Sequence, residues 1–222
     1  MHRGMTALAF AALSVTAFAG DLSRYREFQF GADLPTVAKQ TATDPAEATT
    51  ISKRPALIQE LAWRPQTLGW SAKTEAVQHV VFSFYNGQLF RIVVDYDAQD
   101  TEGLTANDLI QAVSGVYGLA STPTAAANVA QTSDVDGDVT IARWQDPQYR
   151  FDLVRSSYGE GFRLIGVERK LEGPVEAATM EAKRLDDLEA PQRDAAKAVS
   201  DEATEKVRLE KARLVNKPAF QP

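Results

Sequence analysis

The chain has 222 residues, with 24 Lys and Arg against 30 Asp and Glu, and a formal net charge of −6. An acidic surface repels phosphate groups, so this balance argues against nucleic acid and against an anionic membrane surface as partners. The chain contains no cysteine. Disulfides, a thiolate nucleophile and a lipid attached to an N-terminal cysteine are therefore excluded.

Residues 1–19 have the three parts of a cleavable export signal. Met1-His2-Arg3 is cationic, residues 5–18 are apolar, and Ala17-Phe18-Ala19 forms a small-x-small end. The alternative is an uncleaved anchor, but the apolar run is shorter than the roughly 20 residues that a bilayer-spanning helix needs. We expect cleavage after Ala19, leaving 222 − 19 = 203 residues in the periplasm or outside the cell, with no membrane span.

Two segments of the mature chain predict helices that open an α+β body. The first, "LPTVAKQ", follows Asp33 as N-cap, and the second, "TANDLIQAVSGVYG", begins at Thr105 with Asp108 three residues on. In the second helix the apolar side chains recur at helical spacing, and we expect these to face a sheet: Leu109, Ile110, Val113 and Val116.

The strongest strand signal is "AVQHVVFSFYNGQLFRIVVDY", because Asn86-Gly87 between two β-rich runs predicts a type I′ hairpin. Counting outward from the turn pairs Tyr85 with Gln88, Phe84 with Leu89, Phe82 with Arg91 and Val80 with Val93. Alternation along the strands then gives one face with Val80, Phe82, Phe84, Leu89 and Val93, and another with Val77, His79, Val81, Ser83, Tyr85, Phe90, Ile92, Val94 and Tyr96. Both faces are largely apolar, so both should be covered, one of them by the helices.

Several features recur about 72 residues apart. Gly31-x-Asp33-x-x-x-Val37 is matched by Gly103-x-Thr105-x-x-x-Leu109, and Phe90-Arg91-Ile92 by Phe162-Arg163-Leu164. A strand ending in tryptophan and then proline precedes each hairpin, "LIQELAWRP" and "VTIARWQDP", and follows a polar loop such as "TATDPAEATTIS". A period of this size indicates one supersecondary unit used twice, over 20–100 and 101–173. Six antiparallel strands would then form one sheet with the helices on one face.

This order of helix, Trp-bearing strand and hairpin resembles the tandem fold of the β-lactamase inhibitor protein and of small outer-membrane lipoproteins of the SmpA/OmlA type. The usual opening in that group is Gly-Met-Thr-x-x-x-Val, closed by Leu-Gly-x-Pro. Ala32 and Leu104 stand here in place of the methionine, and only Tyr117-Gly118 before Pro123 keeps part of the closing pattern. The resemblance covers residues 24–172 and implies a tandem α+β fold.

Composition changes at Gly173-Pro174, and residues 174–222 predict a charged helical tail. Pro191 removes an amide donor and crowds the preceding turn, which predicts two helices, 175–190 and 192–214. Glu202 and Lys206 have the spacing of a helix-surface ion pair, and Val199, Ala203 and Val207 form a thin apolar stripe. Two interpretations stay open, a solvated helix packed loosely on the body or a coiled-coil contact with another chain.

Candidate catalytic and metal-binding residues are few. His79 shares a strand face with Ser83, but residues four apart on a strand lie roughly 13 Å from each other, so the two cannot form a direct dyad. "DVDGDV" (134–139) places Val139 and Gln145 where a calcium loop needs glycine and glutamate, which favours a simple turn. Without cysteine or paired histidines, zinc is disfavoured. We expect no metal and no cofactor.

Aromatic and arginine side chains form the candidate partner surface, since such groups concentrate binding energy when they are desolvated. The alternative interpretation of the aromatics is core packing. The candidate partner-binding residues are Trp63, His79, Ser83, Tyr85, Tyr96, Arg143, Trp144, Tyr149, Arg150 and Tyr158.

The resulting functional hypothesis is an exported, non-enzymatic protein-binding or envelope-assembly module that uses the helix-free face of the sheet. One alternative is an envelope hydrolase working through Asp95, Asp97 and Asp152. Another is a structural protein whose sheet is covered by its own tail. The partner's identity and the oligomeric state stay open.

Overall fold

The computed structural model describes residues 20–65, 76–121, 139–155 and 161–218. Within these ranges the fold is α+β, with three α-helices, a 3-10 turn at Pro45–Glu47 and nine strands. The helices are α1 (Leu34–Thr41), α2 (Ala106–Tyr117) and α3 (Arg169–Asn216). The strands are β1 (Arg24–Tyr25), β2 (Phe28–Gln29), β3 (Thr49–Ser52), β4 (Ile58–Trp63), β5 (Val77–Tyr85), β6 (Gln88–Tyr96), β7 (Val139–Gln145), β8 (Tyr149–Arg155) and β9 (Phe162–Glu168).

One antiparallel sheet of seven strands organises the described chain, in the order β3-β4-β5-β6-β9-β8-β7, and β1 and β2 form a separate small ribbon. The predicted α+β class with a single continuous sheet is confirmed. The count of six strands was one short, because β3 lies in the segment predicted to be a polar loop. Its β-branched residues Thr49, Thr50 and Ile51 suit a strand, and β4 supplies the hydrogen-bonding partner.

The sheet is symmetrical in strand order about the boundary between β6 and β9. Each side holds three consecutive strands that follow a helix, β4 to β6 after α1 and β7 to β9 after α2. At this boundary Val93 pairs directly with Ile165, and these two positions are 72 residues apart. The 72-residue period of the sequence therefore coincides with a local twofold arrangement in the sheet.

Both predicted helix starts are confirmed by their capping bonds. The Asp33 carboxylate accepts a hydrogen bond from the Thr36 amide at 2.9 Å in α1, and Thr105 and Asp108 form a reciprocal capping box in α2. Each cap follows a glycine with positive φ, 84° at Gly31 and 80° at Gly103. Glycine adopts this conformation without steric cost.

The face of α2 that contacts the sheet differs from the prediction at one position. Leu109, Val113 and Tyr117 are buried at successive i+4 steps, and Ile110 is half-buried. Val116 is 65% exposed, so its assignment to the core was wrong. The last turn of α2 instead turns Tyr117 inward, where its ring stacks on Phe151 at 4.4 Å between centroids.

The Asn86-Gly87 hairpin is confirmed as type I′, since both residues have positive φ. A bulge between Ser83 and Phe84 shifts the register beyond the first two pairs. Phe82 pairs with Ile92 rather than Arg91, and Val80 pairs with Val94 rather than Val93. The predicted faces are therefore wrong for β6 beyond the bulge.

The corrected register turns Ile92 and Val94 toward α1 and α2, where both join the main core. Val77 and Tyr96 pair with each other and also pack into or against that core. Val93 lies on the opposite side of the sheet, with Val154, Ile165 and Val167. We call the side packed on α1 and α2 the core face and the opposite side the second face.

Helix α3 is continuous from Arg169 to Asn216, so the predicted break at Pro191 and the start at 175 were both wrong. A proline inside a helix leaves the carbonyl four residues earlier without its donor, and that residue, Asp187, is exposed, where water can serve. The change of composition at Gly173-Pro174 lies within the first turns of the helix. Among the described helices, none is long and apolar enough to cross a membrane.

Candidate functional site

A chain of ion pairs, buried at Arg143 and Asp152 and partly exposed at Glu172, ties α3 to the second face of the sheet. Asp152 on β8 accepts from Arg143 Nε at 2.5 Å and from Arg150 Nε at 2.8 Å. Arg150 also contacts both carboxylate oxygens of Glu172 in the first turns of α3, at 2.5 and 3.2 Å. Arg143 and Asp152 are 8% and 7% exposed, so these partners are shielded from solvent. The network fixes the start of α3 near β8.

A second contact holds the same helix at the far side of the sheet. Arg54, in the connection between β3 and β4, donates to both carboxylate oxygens of Glu189 at 2.9 Å. Glu172 and Glu189 are 17 residues apart, about 26 Å along a helix. From β8 to β4 the sheet has four strand spacings, roughly 19 Å. A straight helix held at both points crosses β9, β6 and β5.

The second face is therefore covered by the chain's own helix, as in the alternative of a sheet covered by its own tail, and it is not available as the helix-free surface of the binding hypothesis. Directly paired residues share a face, and one ladder runs across it through Val81, Val93, Ile165 and Asp152. Val93 and Ile165 are 8% and 7% exposed, which requires a cover on this side. On α3, Ala178 is buried against this side, with 6% of its surface exposed.

The inner half of α3, residues 169–190, contacts the sheet through one stripe. Its buried and half-buried apolar residues recur every three or four positions, the spacing of a single helix face. They are Leu171, Val175, Ala178, Ala182 and Leu185, and Ala190 at the end of the inner half is half-buried as well.

The outer half of α3, residues 191–216, extends beyond this contact. Every residue in it is exposed except Ala212, which is half-buried. These 26 residues, 216 − 191 + 1, span about 39 Å at 1.5 Å per residue. The helix thus changes from a packed element to a projecting one at the position of Pro191.

Apolar side chains continue along one face of the outer half, and we call them the outer stripe. They recur at the spacing of a helix face and comprise Ala196, Val199, Ala203, Val207 and Leu214. At 100° per residue, this stripe lies within about 40° of Leu185, so it prolongs the face that packs on the sheet. Val199, Val207 and Leu214 are 70%, 56% and 62% exposed.

The tryptophans of the candidate surface lie in the core rather than on a binding face. Trp144 is 1% exposed, and its indole N–H donates to the Gly118 carbonyl at 3.1 Å and to Ser114 Oγ at 3.2 Å. Trp63 is partly buried against the core, with its ring centroid 5.5 Å from that of Phe28. Both residues connect a Trp-bearing strand to elements on the core face.

Tyr96 and Tyr149 also pack on the core side. Burial raises the pKa of the Tyr96 phenol well above its usual value, so this hydroxyl stays neutral. The ring of Tyr149 stacks on Phe30 at 5.4 Å, and desolvation raises the pKa of its phenol too. Placing Tyr96 and Val77 on the face of His79 was wrong: the bulge between Ser83 and Phe84 reverses the alternation along β6, and the irregular pairing between Val77 and His79 reverses it at the start of β5. Tyr158 lies outside the described residues.

His79, Ser83 and Tyr85 lie on the second face, as predicted, but the structure joins His79 and Ser83 to different partners. His79 Nδ1 is 3.6 Å from Asp95 Oδ2, and Asp95 Oδ1 accepts from Arg163 Nε at 2.6 Å. Ser83 is 2% exposed, and its hydroxyl donates to Glu60 at 3.1 Å. The histidine and the serine therefore do not form a dyad. Tyr85, beside the hairpin turn, is half-buried.

The three carboxylates considered for hydrolysis are engaged separately. Asp95 binds Arg163, Asp152 bridges two arginines, and Asp97 accepts from the amides of Gln99 and Asp100 in a turn. A pair of carboxylates working on one substrate must flank the same position, and these bonds hold them in three different settings. Among the described residues, no cluster of three His, Cys, Asp or Glu has the arrangement of a metal site.

Sequence reasoning identified Arg143 and Arg150 but not their partner, and it missed both anchors of α3, Glu172 and Glu189. The alternation of side chains along a strand can be read from the sequence. Nothing in the sequence near Glu172, however, indicates that it pairs with an arginine 22 residues earlier. The exposed outer stripe was found in part, through Val199, Ala203 and Val207.

Comparison of the chain with models of protein families, with curated proteins and with solved structures finds no match. The fold and the site therefore rest on the chain's own sequence and geometry.

Proposed function

We propose that this protein is an exported, non-enzymatic binding or envelope-assembly module that contacts its partner through the outer half of α3. In this proposal the doubled α+β body is a rigid base, similar in plan to the β-lactamase inhibitor protein type. The outer half of α3, residues 191–216, is an arm that holds the contact residues away from the base. Export and location in the cell envelope rest on the signal-like residues 1–19.

The observation that carries the proposal is the abrupt change in exposure along one helix. The stripe that packs on the sheet up to Leu185 continues through Val199, Val207 and Leu214, which have no described cover. Exposed apolar side chains aligned on one helix face are typical of helix-mediated recognition. A merely structural tail that covers the sheet has no need of the 26 residues from Pro191 to Asn216.

The same contacts argue against the sheet itself as the binding surface. The second face already holds α3 through Arg150 and Arg54, and its valines and Ile165 are buried. A partner on this face would have to displace a helix held by a shielded ion-pair network. The arm offers a contact that requires no rearrangement of the body.

Site-specific photocrosslinking in intact cells tests the proposal. A photoreactive residue is placed at Val207 on the outer stripe and, as the matched control, at Leu209, which is 53% exposed but points away from the stripe. We expect discrete crosslinked products from position 207 and several-fold less of them from position 209. The same products from both positions, or none from either, would contradict a contact through the stripe.

A further inference from the structure

We propose that the outer half of α3 pairs with the outer half of a second copy of this chain, antiparallel and centred near Glu205. This inference rests on the proposed function, because it names the occupant of the outer stripe. The result is a dimer with the two α+β bodies at opposite ends of a shared helical pair. Four features of the described chain point to this occupant.

The first feature is the distribution of charge along the arm. Residues 191–205 carry Arg193 and Lys197 against Asp194, Asp201, Glu202 and Glu205, which gives 2 − 4 = −2. Residues 206–216 carry Lys206, Arg208, Lys211 and Arg213 against Glu210, which gives 4 − 1 = +3. An antiparallel pair places the acidic segment of one helix beside the basic segment of the other. A parallel pair would place like charges together, which electrostatic complementarity disfavours.

The second feature is the fit of side-chain sizes. In an antiparallel pair centred on Glu205, Ala203 lies level with Val207 of the second copy. Ala196 in turn lies level with the second copy's Leu214. Each small residue of the stripe thus faces a large one, an arrangement that lets two helices pack closely. Val199 is level with Lys211, whose methylene stem can cover an apolar neighbour.

The third feature is the geometry of the two bodies. The exposed segment begins at Pro191, where contact with the sheet ends, and the helix finishes at Asn216. With Glu205 at the centre, residue 194 of one chain is level with residue 216 of the other. The paired segment therefore fills the space between the bodies, and a helical arm of about 39 Å keeps them from colliding.

The fourth feature is the charge of the body, which disfavours direct contact between bodies. Residues 20–190 contain 16 Lys and Arg and 25 Asp and Glu, a net charge of 16 − 25 = −9. Two such bodies repel each other at close range. Pairing through the arms joins two copies while the acidic bodies stay apart.

Analytical ultracentrifugation of the full chain tests the pairing. We expect a concentration-dependent monomer and dimer between about 1 and about 500 µM, since the thin stripe makes a weak interface. Val207→Glu should raise the apparent dissociation constant at least about tenfold, and Leu209→Glu should change it less than about twofold. Both sites are exposed, so neither variant threatens the fold. A monomer throughout this range, or an equal effect of the two variants, would overturn the pairing.

Spin labels distinguish antiparallel from parallel pairing, and the cysteine-free chain allows a single label site. Thr204→Cys and Arg193→Cys place labels on the same flank of the arm, near its centre and near its start. In the antiparallel pair the two labels at 193 are offset by roughly 36 Å along the axis and those at 204 by only about 3 Å. Equal distances from both variants would mean a parallel pair and refute the arrangement.

The results of these experiments show whether the dimer proposal or the proposed function is wrong, since each can fail on its own. If the purified chain stays monomeric while position 207 crosslinks in cells to a different protein, self-pairing is wrong and the binding arm stands. If position 207 yields no crosslink to either kind of partner, both proposals fall.

Discussion

The two halves of α3 are the same helix stabilised in different ways. The inner half lies on the sheet, buries Ala178 and is held at Glu172 and Glu189 by arginines of the body. The ion pairs of the outer half lie within the arm or join Arg193 to Asp186 and Glu189 at its junction with the inner half. One continuous helix thus packs on the sheet up to residue 190 and projects from the body from Pro191 onward.

Local physics explains why the outer half remains helical without a surface beneath it. Starting a helix is costly, whereas extending one is nearly neutral, and the inner half supplies the start. The outer half is rich in Ala, Glu, Lys and Arg, which favour helix. Pairs such as Glu205 with Arg208 at 2.6 Å and Glu202 with Lys206 at 2.8 Å have the spacing at which opposite charges stabilise a helix slightly.

The largest expected effect distinguishes the halves by the same substitution in each. Ala178→Asp places a carboxylate where α3 meets the sheet, and we expect it to lower the free energy of unfolding by about 3 kcal/mol. The matched variant Ala198→Asp lies on the exposed outer half and should cost less than about 1 kcal/mol, mainly through helix propensity. Urea unfolding measures both. Equal losses would mean that α3 does not pack on the second face.

An intermediate effect on the free energy of unfolding is expected at acid pH, because ionised carboxylates cap the helices of the body. Hydrogen bonds from Thr105 hold the pKa of Asp108 below its ordinary value near 3.8. A depressed pKa in the folded state means that the ionised carboxylate stabilises α2. That contribution is complete well above pH 3.8 and is lost as pH falls through the lowered pKa.

Asp108→Asn removes this contribution while keeping the shape of the side chain. We expect wild type to exceed the variant in stability at pH 7 and the difference to shrink toward zero near pH 2, as measured by urea unfolding at each pH. Wild type and variant differ only at this side chain, so effects of pH that both chains share cancel in the difference. A difference that grows toward acid would contradict the assigned sign.

The smallest expected effect follows removal of the arm. A chain ending at Ala190 keeps the Glu172 and Glu189 contacts, so its free energy of unfolding should match that of the full chain within about 0.5 kcal/mol. Thermal unfolding of both chains is measured at low protein concentration, so that pairing between arms does not add to the stability of the full chain. A loss of several kcal/mol would show that the outer half contributes to the body.

Features set by a few neighbouring residues were predictable. The caps at Asp33 and Thr105 need only a side chain three residues from its amide, and Asn86-Gly87 determines its turn through its own φ angles. The bulge at Ser83 and Phe84 was not predictable, because cross-strand packing decides where a register shifts. Strand β3 was missed because it is stabilised by pairing with β4, a contact that its own short sequence does not indicate.

The candidate site was predictable only in its parts. The aromatic residues were proposed as a partner surface with core packing as the alternative, and Trp63, Trp144, Tyr96 and Tyr149 pack in or against the core. Hydrophobic side chains look alike in a sequence whether they bind a partner or the chain itself. The cover of the second face depended on Arg150 meeting Glu172, which no periodicity reveals.

By itself the sequence determined the α+β class, the 72-residue recurrence, the helix starts and the helical nature of the tail. These depend on backbone preferences and on contacts a few residues apart, which local composition encodes. Only the tertiary structure decided which face of the sheet α3 occupies, where it leaves that face, and which apolar stripe stays exposed. Those outcomes depend on contacts between residues far apart in the sequence. Several apolar surfaces could cover the same face of the sheet, and only the complete fold determines which one does.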